Sequence, residues 1–222
     1  MVLPSGLSAG GEAIAPRYDE VIETERNANV VRAAAPEAVA FVASAGGVQA
    51  LTALLSALPP HLDAALIVLL HLLPDHRSHL AAILGRKTEL RVKEAEDGDR
   101  LEAGCVYVAP PDVHLYVEAG GTLALRDGPA VNHLRPSGDV LLSSLAEACG
   151  GRCLAVVLTG LGRDGTAGAE AVKKAGGRVI AQDAATSEFP AMPQAAIAAG
   201  VVDQVLPLDE IAPAVVDFAA HR

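Results

Sequence analysis

The chain has 222 residues, of which 51% are hydrophobic, and a formal net charge of −10. That length bounds one large α/β domain, and the acidic balance excludes nucleic acid as the expected main partner. Aromatic residues are only 3% and Trp is absent, so the core must be built from Ala, Val, Leu and Ile, which suits parallel strands covered by helices.

Residues 1–36 differ from the rest. Residues 1–16 are rich in Gly, Ser, Ala and Pro and lack any period, which reads as a tail. Residues 18–35 carry Glu20, Glu23, Glu25 and Arg26 among Val21, Ile22, Val30 and Val31, a pattern that fits one appended helix closed by Pro36. From Glu37 onward apolar strands alternate with helices. A strand is expected at 38–43, followed by Gly46-Gly47 and a helix with Val48, Leu51, Leu54, Leu55 and Leu58 near helical spacing, ended by Pro59-Pro60. A fully apolar strand at 64–70 and a short helix at 76–84 come next, then a strand at 106–109 stopped by Pro110-Pro111. Gly120-Gly121 between the runs 113–117 and 122–125 signals a hairpin. Then follow a helix at 139–149, a strand at 153–158, a helix at 167–175, a strand at 179–181, a helix at 191–199, a strand at 202–206 and a helix at 209–220. This order predicts a doubly wound, mostly parallel sheet with helices on both faces and an antiparallel hairpin addition.

No charge-free apolar run of about 18 residues is found, so no membrane insertion is expected. The N-terminus lacks the basic start and continuous apolar stretch of a signal peptide. Cys105, Cys149 and Cys153 are odd in number and lack paired metal-ligand spacing, which reads as reduced, buried thiols in a cytoplasmic protein. His71, His76 and His79 invite a metal hypothesis, but 75–79 is a polar helix start where solvated histidines are ordinary, and neither a metal nor another cofactor is expected.

In open parallel sheets ligands bind beyond the carboxyl ends of the strands. The polar residues there are Ser44, His71, Asp112, Thr159, Asp164 and Asp183. A serine needs a base to act as a nucleophile near neutral pH, histidine is the usual one, and an acid then fixes the imidazole tautomer. Each also has an ordinary structural reading: Ser44 as a helix cap, His71 as a hydrogen-bonded buried histidine, Asp164 as a cap for the helix near Thr166. The glycine-rich run 158–165 lacks the Lys of a phosphate-binding loop, and Val42 stands where a G-x-S-x-G elbow has its first Gly.

Several blocks in order carry a resemblance. They are Ala43-Ser44-Ala45-Gly46-Gly47; His71 with Pro74-Asp75-His76-Arg77-Ser78; Val92 to Gly98; Tyr107-Val108-Ala109-Pro110; Arg135-Pro136-Ser137 with Asp139-Val140; Leu158 to Gly165; Ala181-Gln182-Asp183; and Met192-Pro193. From about Val39 to the end the chain resembles the catalytic domain of CheB-type chemotaxis-receptor methylesterases. The resemblance implies hydrolysis of γ-glutamyl methyl esters on the cytoplasmic domain of a chemoreceptor, and deamidation of particular receptor glutamines. Its serine, histidine and aspartate fall on Ser44, His71 and Asp164, and backbone N–H groups near Ala45 or Leu161 are candidates for the oxyanion site. The chain departs from the family at Val42, where Gly is usual, at Ala45, where Thr is frequent, and at Leu161, where Met is frequent. Residues 1–36 are too short for the receiver domain many members carry, so the expected organisation is an N-terminal extension at 1–36 and a catalytic domain at 37–222. A non-catalytic receptor- or partner-binding module and a small-molecule esterase on the same scaffold stand beside this reading, and the sequence does not fix the oligomeric state.

Overall fold

The computed structural model of the protein describes residues 36–71 and 79–220, all within the unit Ala34–Arg222. The tail and helix expected before Pro36, and the start of the helix expected at 76–84 with His76, lie outside the described residues.

The first strand, β1 (Ala38–Ala43), is buried at every position. It is followed by α1 (Gly47–Ser56), β2 (Ala65–Leu70), α2 (Leu80–Gly85), β3 (Arg91–Glu94) and β4 (Cys105–Val108). A hairpin, β5 (His114–Glu118) and β6 (Thr122–Arg126), precedes α3 (Gly138–Cys149). Then come β7 (Cys153–Val157), α4 (Thr166–Lys174), β8 (Arg178–Gln182), α5 (Ala191–Ala198), β9 (Gln204–Leu206) and α6 (Leu208–Ala220). The main sheet has seven strands in the order β3-β4-β2-β1-β7-β8-β9, and every pairing in it is parallel. The hairpin expected from Gly120-Gly121 forms a separate two-stranded antiparallel sheet.

Side chains alternate along a strand, so a central strand feeds two cores. Ala38, Ala40 and Val42 of β1 join a core with Leu141, Leu142 and Leu145 of α3, Ala169 and Val172 of α4, Met192 of α5 and the hairpin's Leu115, Val117 and Leu123. Val39, Phe41 and Ala43 join the opposite core, with Leu51, Leu54 and Leu55 of α1, Leu80 and Leu84 of α2, and Ile211 and Val215 of α6. Both faces are therefore covered, which is why β1, β2 and β7 read as unbroken apolar runs instead of alternating ones. Among the described residues no helix is long and apolar enough to cross a membrane. The three cysteines are free and buried, and burial pushes the Cys149 thiol up to about 11 and that of Cys153 to about 12.

Strand β3 was not expected. Its sequence Arg-Val-Lys-Glu carries three charges, because it lies at the sheet edge and pairs only with β4. The chain runs from β1 to β2, on to the edge strand β3, back to β4 between β2 and β3, and then through the hairpin and α3 to β7 on the other side of β1. The carboxyl ends of β1 and β7 thus form the switch point, where a crevice is expected.

Phe41 is fully buried at the centre of this sheet, whereas Ile83 is 42% exposed on α2. Phe41→Ala should cost about 3–5 kcal/mol and lower the urea midpoint with an unchanged slope, while Ile83→Ala should stay within about 0.5 kcal/mol of the parent. Equal midpoints for the two variants would contradict this core assignment.

Candidate active site

The register of the three central strands continues one step beyond their ends. Ala43 pairs with Leu70, and the His71 N–H donates to the Ala43 carbonyl at 3.1 Å. On the other side the Ser44 N–H donates to the Thr159 carbonyl at 3.0 Å. Alternation carries Ser44 and His71 onto the same face as Val42 and Leu69, the face covered by α3 and α4.

Asp164 meets them there. His71 Nε2 lies 2.8 Å from Asp164 Oδ2, with the two side chains 9% and 1% exposed. The other Asp164 oxygen, Oδ1, accepts from Ser137 Oγ at 2.8 Å and from the Asp139 N–H at 3.2 Å, while Oδ2 also accepts from the Gly138 N–H. Each carboxylate oxygen therefore has two donors, which saturates the group. Ser137 is the N-cap residue of α3, but its hydroxyl is turned to Asp164, and Asp164 serves as the cap for that helix. Burial pushes the Asp164 carboxyl upward, yet the hydrogen bonds from His71, Gly138 and Ser137 outweigh it and hold the group below the usual carboxylate value. An ionised Asp164 is an acceptor only, so Nε2 of His71 carries the hydrogen of this contact, which leaves Nδ1 as the acceptor of a neutral ring.

The ordinary structural readings of the two ends fail. The N-cap of α1 is Gly46, not Ser44, and no side chain caps that helix. Asp164 caps α3 and not α4, whose N-cap is Gly165. Among the described residues neither Ser44 Oγ nor His71 Nδ1 has a hydrogen-bond partner, so the histidine–aspartate contact is formed and the serine–histidine contact is not.

The two candidate oxyanion donors have a common geometry. A peptide unit is planar and trans, so fixing its carbonyl aims its N–H the opposite way. The Ser44 carbonyl accepts from the Gly47 N–H at 2.8 Å, which turns the Ala45 N–H away from α1. The Gly160 carbonyl accepts from the Met192 N–H at 3.0 Å, which turns the Leu161 N–H away from α5. Among the described residues neither the Ala45 nor the Leu161 N–H has an acceptor. The two loops approach closely at Gly160: a Cβ there would lie 2.8 Å from Ser44 Cβ and 2.5 Å from Met192 Sδ.

Residues that the sequence did not single out for this role hold the loops in place. Thr159 Oγ1 donates to the Ala45 carbonyl at 3.0 Å and accepts from the Phe189 N–H at 2.9 Å, and the Thr159 N–H donates to the buried Gln182 Oε1 at 2.9 Å. The remaining strand-end acids go elsewhere. Asp112 pairs with Arg135, and Asp183 accepts from the Thr186 N–H and hydroxyl, which lower its carboxyl below the ordinary value. His79 stands just before α2.

These positions can be set beside known proteins. The chain is 43% identical over 205 residues to a protein-glutamate methylesterase/protein-glutamine glutaminase of Anaeromyxobacter dehalogenans, covering 92% of this chain and 59% of that protein. It is 41% identical over 182 residues to the protein of the same description from Pyrococcus abyssi, covering 81% of this chain and 50% of that one. The chain thus spans between half and three fifths of the length of these relatives. Among solved structures, the Thermotoga maritima CheB methylesterase catalytic domain superposes with a TM-score of 0.79 at 38% identity, covering 82% of this chain and 98% of that domain. The CheB methylesterase model matches residues 39–215, and the chain belongs to that family.

Proposed function

We propose that this protein hydrolyses γ-glutamyl methyl esters on the cytoplasmic domain of a chemoreceptor, using Ser44, His71 and Asp164, and that it deamidates receptor glutamines by the same steps. The catalytic unit is residues 37–222. The observation that carries the chemistry is the buried His71–Asp164 contact at 2.8 Å, beside a serine one register step away across β1 and β2. The substrate class rests on the names of the relatives, which couple glutamate methylesterase with glutamine glutaminase.

Ser44 Oγ attacks the ester carbonyl as His71 Nδ1 takes its proton. Asp164 accepts from Nε2 throughout, keeps the ring in the right tautomer and stabilises the imidazolium. The oxyanion is met by the N–H groups of Ala45 and Leu161. Collapse of the tetrahedral intermediate breaks the bond to the methoxy oxygen, which leaves as methanol with the proton from His71. Water then adds to the acyl-serine with the same base, and the glutamate carboxylate departs. With a glutamine substrate the leaving group is ammonia. The Ser44–His71 hydrogen bond forms when substrate binds, as such contacts often tighten only in the substrate complex.

Ser44→Ala and His71→Ala should each abolish methanol release from a methylated receptor domain, and the double variant should be hardly worse than either single one. Losses that add in log rate would contradict a shared catalytic unit. No methanol release by the parent would favour the binding-module reading, release retained by Ser44→Ala would remove Ser44 as the nucleophile, and rapid hydrolysis of aryl esters with none of the receptor would favour the small-molecule esterase.

Asp164→Asn tests two roles at once. Turnover should fall by about 10⁴ through loss of the correct tautomer. Stability should also fall, by roughly 1.5–3 kcal/mol at neutral pH, because an amide cannot accept all the donors that converge there. The folded-state pKa of Asp164 is depressed, so its stabilisation is fully present above the unfolded value of about 3.9 and is lost as pH falls through the folded value. The gap in melting temperature between parent and variant should therefore narrow below about pH 4. A gap constant with pH would show that the carboxylate is not the stabilising species.

Gly160→Ala probes the oxyanion loop. A Cβ at 2.8 Å from Ser44 Cβ and 2.5 Å from Met192 Sδ forces the Leu161 N–H to shift. Removing one oxyanion donor elsewhere costs about 10²–10³ in kcat, and a loss approaching that range is expected. Unchanged kcat would remove Leu161 from the oxyanion site.

A further inference from the structure

Glu188 is an exposed carboxylate on a segment held beside the nucleophile turn, and the mechanism above does not use it. The chain on either side of it is pinned. Ser187 Oγ donates to the Asp183 carbonyl at 2.7 Å, the Phe189 N–H donates to Thr159 Oγ1 at 2.9 Å, and the Phe189 carbonyl accepts from the Gly160 N–H at 2.8 Å. The carboxylate is thereby brought over the turn that follows Ser44. A Cβ built on Gly46 would lie 2.8 Å from Glu188 Oε2 and 3.1 Å from Thr159 Oγ1. Among the described residues Glu188 has no hydrogen-bond or ion-pair partner.

A charge in this position has one plain structural use. Gly46 is the N-cap of α1, whose first turn has no acidic residue, and a nearby carboxylate favours that end of the helix. That use does not call for a carboxylate beside the nucleophile, and the reaction gives the position a second consequence. Substrate enters as a neutral ester or amide and leaves as a carboxylate, bound at the same place. A fixed negative charge at the lip of the site does not oppose the substrate, but it repels the product.

We infer that Glu188 is a specificity-determining residue that discriminates against the glutamate product in favour of the neutral ester, so that the enzyme is not held by receptor sites it has already hydrolysed. This rests on the methylesterase reading above. The oxyanion of the transition state carries the same sign as the product, so kcat responds in the same direction, and the diagnostic signature is the ratio of product to substrate binding, which kcat does not enter. For two exposed charges several ångströms apart the repulsion corresponds to roughly two- to tenfold in affinity, and it is screened by salt.

The test uses the full chain, parent and Glu188→Gln, hydrolysing a receptor peptide that carries one glutamyl methyl ester. The same peptide with an unmodified glutamate is the competitor. Glu188→Gln should strengthen competitive inhibition by the glutamate peptide roughly two- to tenfold and leave the KM for the ester within about twofold. In the parent, raising the salt should tighten product inhibition, and in the variant it should not. Glu188→Asp, which keeps the charge, should retain weak inhibition. If Glu188 only stabilised the helix, Glu188→Gln would instead lower the melting temperature and leave the ratio of inhibition constant to KM unchanged, which overturns the proposal while the methylesterase reading stands. No methanol release by the parent would overturn both.

Discussion

One buried carboxylate organises the edge where the carboxyl ends of the central strands meet. Asp164 is 2% exposed, and a charge so placed persists only if donors replace the water it has lost. Here the donors come from two directions: the end of β2 through His71, and the start of α3 through the hydroxyl of Ser137 and the N–H groups of Gly138 and Asp139. The requirement fixes where α3 begins and how close it comes. A Cβ at Gly138 would lie 2.5 Å from Val42 Cγ1 and 3.0 Å from Asp164 Oδ2, so only glycine lets the helix terminus reach the carboxylate over β1. Val42 is the floor of that contact, which gives it a packing role in place of the first glycine of a serine elbow.

A second carboxylate completes a reciprocal arrangement. Asp164 precedes α4 and caps α3, while Asp139, in the first turn of α3, accepts from the Gly168 N–H at 3.0 Å in the first turn of α4. The two helix N-termini are thus cross-capped. Their environments push the two acids apart. Burial raises the Asp139 carboxyl and the neighbouring Asp164 charge raises it further, against the amides of α4, whereas Asp164 is held low by its donors. The one held low is the one that faces the histidine.

What could be read in the sequence follows from how local each signal is. The apolar runs of β1, β2 and β7 and the glycine and proline stops between them mark strand ends without reference to anything distant, so Ser44, His71 and Asp164 could be placed on one edge before any contact was known. Strand β3 escaped notice because its charges suit an edge position that no local pattern distinguishes from a loop. The histidine–aspartate contact spans 93 residues, and the Ser137–Asp164 contact 27, and only the fold brings those partners together. Ser137 stood in a recognisable block, where no role was assigned to it. That its hydroxyl would turn to a carboxylate from another loop was not legible. Nor was Gln182, which is buried at the end of β8 and hydrogen-bonds the Thr159 N–H.

The division between backbone and side chain also explains which residues in the site tolerate change. Groups offered by the backbone at Ala45 and Leu161 do not depend on those side chains, so a methyl at one and an exposed leucine at the other leave the donors intact. The constraint passes instead to the residues that fix the two peptide planes. Thr159 holds the Ala45 carbonyl with its hydroxyl, so the turn is tied from the β7 side without a hydroxyl on residue 45. Gly160 admits Ser44 Cβ and Met192 into contact, and its carbonyl is held by the first turn of α5. The turn that carries Ser44 is thus supported by strand β7 and the loop after β8 as much as by its own sequence. A serine on a strand-to-helix turn becomes chemically informative only once those neighbours are placed around it.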